Sequence, residues 1–178
     1  MIQRESKLTK SFLAESQHSV AEYHLPRLIR CLNMLPEKEI WWRPNSASNS
    51  AGNLVLHLSG NVRQWIISGL GNEQDNRNRD AEFAERGPVP RSALVKIISK
   101  TVVQACGVLG RLSEPSLSRN YDIQGFRVSG LYAVTQVVTH FAYHTGQVIF
   151  ITKWKLGKDM QFTRLPGEKK KRAITRVP

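Results

Sequence analysis

The chain has little of what staples, anchors or exports a protein. Its two cysteines, Cys31 and Cys106, stand far apart and in no C-x-x-C pattern. That excludes a disulfide framework and predicts buried free thiols on helices. No run approaches the roughly 18 apolar residues of a membrane-crossing helix. The first residues, MIQRESKLTKSFLAES, lack the apolar stretch of a signal peptide. A cytoplasmic location without a membrane partner is therefore expected. G-x-S-x-G, P-loop and Gly-rich dinucleotide motifs are all missing, which sets aside their chemistries. Acidic residues are scarce, 14 against 26 Lys and Arg, for a formal charge of +12.

What remains is a chain of 178 residues with 40% hydrophobic and 22% charged content. That is enough for one domain with a core of its own. We expect a single domain over 1–160 and a basic tail over 161–178. The last 28 residues hold nine basic side chains against two acidic ones. Such a tail attracts acidic ligands or nucleic acid, but no aromatic or Gly-rich nucleic-acid motif accompanies it, so the solvated reading is favoured.

Four stretches carry helical periodicity. The first runs roughly over 9–35, with Phe12, Val20, Leu25, Leu28, Ile29, Leu32 and Leu35 on one face and Pro26 expected to kink it. The second runs from Asn49 or Ser50, both good N-caps, to Leu70 before Gly71-Asn72. The third covers 92–112. The fourth covers 130–156 and carries the stripe Val134, Val138, Phe141, Thr145, Val148 and Thr152. With no strand-like alternation between them, these predict an all-α antiparallel four-helix bundle. Trp41 and Trp42, in the connection 36–48, are expected to lid one end of the core. The polar connection 71–91 is long for a bundle, which makes it either mobile or part of a site. Tyr132, Tyr143, Phe150 and Trp154 give the fourth helix a second apolar side, which predicts a homodimer.

Three histidines carry the most chemistry. His140 and His144 are spaced H-x-x-x-H, one turn apart on one helical face. His57 lies on the second helix. If the bundle brings it opposite, three imidazole nitrogens reach one ion at about 2.0–2.1 Å and leave a coordination position open. The same residues also fit ordinary polar packing at a core edge. Two stripes favour the metal: Asn53, Asn61 and Gln64 beside His57, and Gln136 and Gln147 beside the pair, all able to support ligands from behind. His18 and His24, six apart, fall on different faces and are left out. No Asp or Glu lies within four residues of the three histidines. That argues against a carboxylate-bridged di-metal bundle and leaves no evident general base.

Two blocks give the chain a family likeness. One is Trp41-Trp42-Arg43-Pro44-Asn45 leading into Asn49-Ser50-Ala51-Gly52-Asn53 and His57-Leu58-Ser59-Gly60-Asn61. The other is Gln124-Gly125-Phe126 leading into His140-Phe141-Ala142-Tyr143-His144-Thr145-Gly146-Gln147. In these, over roughly 10–156, the chain resembles the DinB/YfiT-like superfamily of four-helix metal-binding bundles. The resemblance implies zinc, nickel or iron held by His57, His140 and His144. It also implies a small-molecule substrate, with chemistry drawn from thiol S-transfer using bacillithiol, mycothiol or glutathione, or from metal-dependent hydrolysis. Arg43 or Arg63 is the candidate holder of an acidic thiol. The rival readings are a non-catalytic metal-binding or stress-response dimer and, less favoured, a nucleic-acid binder acting through its tail.

Overall fold

The computed structural model describes residues 6–87 and 89–163. Most of the basic tail, 164–178, lies outside the described residues. Helix α1 spans 7–34. It is α-helical over Lys7–Gln17, π-helical over His18–His24 and α-helical again over Leu25–Met34. Pro26 explains the change of pitch. A proline has no N–H to donate and its ring crowds the preceding turn. A wider turn relieves the crowding: the Leu25 N–H reaches back five residues to the Val20 carbonyl.

A 3-10 turn, Glu37–Trp41, leads toward α2, which is α-helical over Ala51–Val62 and π-helical over Arg63–Leu70. Ser50 is its N-cap. The Ser50 hydroxyl accepts from the Asn53 N–H at 3.1 Å, and the Asn53 side-chain oxygen accepts from the Ser50 N–H at 3.2 Å. This is a reciprocal capping box. After α2 come α3 (Arg79–Ala84), α4 (Arg91–Leu109), α5 (Glu114–Ser118), a hairpin of β1 (Asn120–Ile123) and β2 (Phe126–Ser129), and α6 (Gly130–Leu156).

The long helices α1, α2, α4 and α6 form the bundle, as the periodicity predicts. The core runs through Leu28, Leu32, Leu58, Ile66, Leu94, Ile98, Phe141 and Val148, all almost wholly buried. Burying each such side chain stabilises the fold by about 1.5–3 kcal/mol. Contacts at the two ends give the helix directions. Arg91 donates to the Leu35 carbonyl at 2.6 Å, so the end of α1 meets the start of α4. Gly71, just past α2, packs against Val108 near the end of α4. Hence α2 and α4 run one way, and α1 and α6 the other.

This topology assigns the segment 71–90. It carries the chain back along the whole bundle, from the end of α2 to the start of α4, and is called the crossover below. The sequence offers only a polar loop there; tertiary packing adds α3, capped where the Asn78 side chain accepts from the Ala81 N–H at 3.0 Å. The hairpin is a further difference from the expected strand-free chain. It pairs Asn120 with Ser129 and Ile123 with Phe126. Its tip, Gln124-Gly125, has positive φ at both residues, 55° and 81°. This two-residue turn suits the right-handed strand twist. Strands of four residues are too short to show alternation.

Trp41 sits over one end of the core. Its indole donates to the Val89 carbonyl at 3.2 Å and lies against Gly52 and Gly87. Trp42 lies under Lys155, whose Nζ is 4.4 Å from a ring centroid. Among the described residues only α4 is long and apolar enough to cross a membrane by length and composition. Its Leu94, Ile98, Val102, Ala105 and Leu109 are buried in the bundle.

Candidate metal centre

The bundle brings the three histidines together. His57, near the middle of α2, faces His140 and His144 on α6. The Nε2 atoms of His57 and His140 are 3.2 Å apart, and those of His140 and His144 are 3.0 Å apart. The three rings stand nearly perpendicular to one another. His57 is buried, and His140 and His144 are half-buried.

The outer nitrogens of His57 and His144 lie against polar side chains. His57 Nδ1 lies 3.0 Å from Glu82 Oε2. The donor Arg77 Nη2 lies 3.1 Å from the same Nδ1. A carboxylate only accepts, so where Nδ1 donates to Glu82, Nε2 is left to present a lone pair. His144 Nδ1 donates to Gln147 Oε1 at 2.7 Å, with the same result. His140 Nδ1 is buried without a hydrogen-bond partner among the described residues. The Nε2 atoms thus converge, neighbouring ones at a spacing near the roughly 3 Å expected of nitrogens sharing an ion at about 2.0–2.1 Å. The donor set therefore fits a divalent cation.

Electrostatics agree. Burial, then the neighbouring His144 and His57, then Arg77 and Arg79, lower the His140 pKa from its ordinary 6.5 to about 3. Burial also lowers His144, partly offset by Gln147. These two imidazoles stay neutral at physiological pH, which metal ligation requires. For Glu82, burial pushes upward, but hydrogen bonds from Arg77 and His57 outweigh it and hold the carboxyl below the ordinary range.

Glu82 is the functional residue that sequence reasoning misses. It lies 25 residues from His57 on α3, and no spacing rule connects them. The only signal was the length of the connection. Arg77 grips Glu82 through both oxygens at 2.8 Å, with its Nη2 also 3.1 Å from His57 Nδ1. Phe83 packs on the His57 ring at 4.6 Å between centroids, and the Arg79 guanidinium lies 4.9 Å over Phe83.

The other expected residues take distinct places. Gln147 touches a histidine directly. Gln64 accepts from Arg77 at 2.9 Å and donates to Asp75 at 2.8 Å, one step further out. Asn53 fastens the crossover, donating to the carbonyls of Glu82 and Glu85, both at 2.9 Å. Asn61 and Gln136, one turn from His57 and His140 on facing helices, each leave a buried side-chain oxygen without a partner among the described residues. Arg43 donates to Asn53 Oδ1 and to the Phe83 and Glu85 carbonyls, bracing the crossover. Arg63 pairs with the exposed Glu73 at 3.3 Å. Beside the cluster lies a cleft of about 590 Å³ between the 44–49 connection and α6, lined by Leu54, Tyr143, Gln147 and Phe150 among others. Both cysteines are free, as expected, and burial raises both thiols.

A four-helix bundle with a crossover and three converging histidines defines the class: this is a DinB-like fold, and the resemblance to the DinB/YfiT-like superfamily holds. The chain belongs to the family described as "Protein of unknown function (DUF1572)", whose model matches residues 7–169. A conserved protein of Enterococcus faecalis has a similar solved structure. Its TM-score is 0.69 at 16% identity, over 82% of this chain and 97% of that one. A DinB-like protein from Bacillus subtilis gives 0.60 at 18%, over 81% and 93%. One from Bacillus cereus gives 0.60 at 15%, over 76% and 87%. At these identities the likeness is one of fold. No curated protein matches the sequence.

Proposed function

We propose that this chain is a metal-dependent enzyme that binds one divalent ion, zinc, nickel or iron, through His57, His140 and His144. In this reading it transfers a low-molecular-weight thiol to an electrophilic small molecule. The carrying observation is the convergence of three Nε2 atoms, with the outer nitrogens of His57 and His144 facing Glu82 and Gln147. Such an ion supplies Lewis acidity that lowers the pKa of a thiol, or of water, at its open position.

The protein's own groups divide the remaining work. Glu82 and Gln147 hold two imidazoles with Nε2 inward. Phe83 shields the His57 face from water. Asn61 and Gln136 offer buried acceptors for substrate N–H or O–H groups. Arg79, exposed beside Phe83 and without a carboxylate partner among the described residues, is a better placed anion holder than Arg43 or Arg63, whose contacts are with protein groups. Hydrolysis is the second reading. Thiol transfer is preferred because Glu82, the carboxylate nearest the histidines, is already engaged by Arg77 and His57 and is poorly free to take a proton from water. We also propose a cytoplasmic homodimer packed on Tyr132, Tyr143, Phe150 and Trp154. All four are exposed in the single chain, and Tyr143 and Phe150 also line the cleft.

Elemental analysis of the purified protein, beside His57→Ala and His144→Ala, tests the reading. We expect about one ion per chain, lost in both variants. A zinc- or nickel-loaded sample should then consume thiol in the presence of an alkylating electrophile. A wild type that takes up neither ion would reduce the histidines to polar packing and favour a non-catalytic binding protein.

A further inference from the structure

Gly60 sits three residues after His57, on the same face of α2, in the interior of a helix that glycine disfavours. The structure supplies a reason for it. A Cβ built on Gly60 would lie 1.8 Å from Glu82 Oε1, 2.7 Å from the Glu82 carboxyl carbon and 2.9 Å from Arg77 Nε. The missing side chain is therefore the notch into which the Glu82–Arg77 pair descends. The side chains in that notch are deeply buried, Arg77 at 4% and Glu82 at 10% exposure. From it, Glu82 reaches His57 Nδ1 with one oxygen while Arg77 holds both.

We propose that Gly60, Arg77 and Glu82 form one positioning device, by which the crossover fixes the tautomer and aim of His57. Gly60 provides clearance, Arg77 orients Glu82 through both of its oxygens, and Glu82 accepts from Nδ1 so that Nε2 turns inward. None of the three touches an ion or substrate. The device ties two events together: an undocked crossover leaves His57 free to rotate or change tautomer, and an ion on His57 strengthens docking. The metal half of this statement rests on the function proposed above; the tautomer half does not.

The test has two readouts. Zinc affinity is measured by competition with a chromophoric chelator. The ring tautomer of His57 is read in metal-free protein from long-range 1H–15N spectra of histidine-labelled samples. The variants are Gly60→Ala, Glu82→Gln and the double, with Gly107→Ala as control. Gly107 is on α4, where a Cβ meets nothing nearer than 3.7 Å. Outer hydrogen-bond partners of ligating histidines typically contribute about 10–100-fold to affinity. Each single variant should weaken zinc binding by that order and mix the His57 tautomers. The double should be no worse than the weaker single, because both remove one contact. Gly107→Ala should change neither readout. Should Gly60→Ala fail to fold, the near-isosteric Glu82→Gln decides alone. Wild-type affinity and an unchanged tautomer in Glu82→Gln would overturn the proposal, as would additive losses in the double. A wild type that binds no zinc but holds the Nδ1–H tautomer would instead overturn the metal function and leave the positioning role standing.

Discussion

At the scale of single residues, the site is a problem of where protons sit. Burial first, then the neighbouring His144 and His57 and the charges of Arg77 and Arg79, take the His140 pKa from 6.5 to about 3. The sign of the consequence follows from linkage. Between those two values the unfolded chain binds a proton that the folded one refuses, so stability rises with pH across that window. Metal-free protein should be fully supported near pH 7 and lose stability steadily as pH falls below about 6.5. Thermal unfolding in metal-free buffers from pH 7.5 to 4 measures this. His140→Gln should flatten the slope, and an unchanged slope would show that the group is not responsible. Zinc affinity should fall in the same direction, since protons compete for the ligand nitrogens. His140 and His144 were legible as a pair from their one-turn spacing, and His57 as their candidate partner from its place on the second helix and from the family resemblance. Glu82 was not, because its relation to His57 is made in space across a segment with no repeating pattern.

At the scale of elements, the crossover is the part that makes this bundle specific. It is short of buried apolar residues; α3 has none. Polar fastening holds it instead: Asn53 and Arg43 on its carbonyls, and Arg77 on Glu82 and Gln64. Asn53→Ala would strip a hydrogen bond from each of two part-buried carbonyls and leave Arg43 without its side-chain acceptor. We expect a loss of about 2–3 kcal/mol, together with faster proteolytic cleavage within 71–90. A variant cut no faster than wild type would mean that the capping box was its main role. Sequence reasoning placed Asn53 near the site for the right face of α2, but as support for a ligand. Its partners turned out to be backbone carbonyls 29 and 32 residues away. The hairpin was missed because four-residue strands give no periodic signal. The long helices were found because their apolar faces repeat over many turns, and the cap was narrowed to Asn49 or Ser50 because caps are local.

At the scale of the whole molecule, α6 carries two faces with different fates. Phe141, Thr145, Val148 and Thr152 are buried in the bundle, while Tyr143, Phe150 and Trp154 are 62–67% exposed. A large aromatic surface left in water favours association. Sedimentation across micromolar concentrations should give a dimer, and Trp154→Glu should shift it toward monomer without changing the helical circular dichroism. A monomer throughout would remove the dimer from the proposal. The sequence by itself determined what depends on neighbours along the chain: four amphipathic helices, an N-cap at Asn49 or Ser50, the disturbance at Pro26, free cysteines, and histidines one turn apart on α6. It also carried enough of two local blocks to resemble the DinB-like class. Only the tertiary structure decided which helices adjoin, that 71–90 runs the length of the bundle, and that Glu82 and Arg77 drop onto Gly60 behind His57. The reason is physical. Helical periodicity and capping are set by bonds spanning three or four residues, whereas a carboxylate reaching an imidazole 25 residues away is selected by packing, which no local pattern encodes.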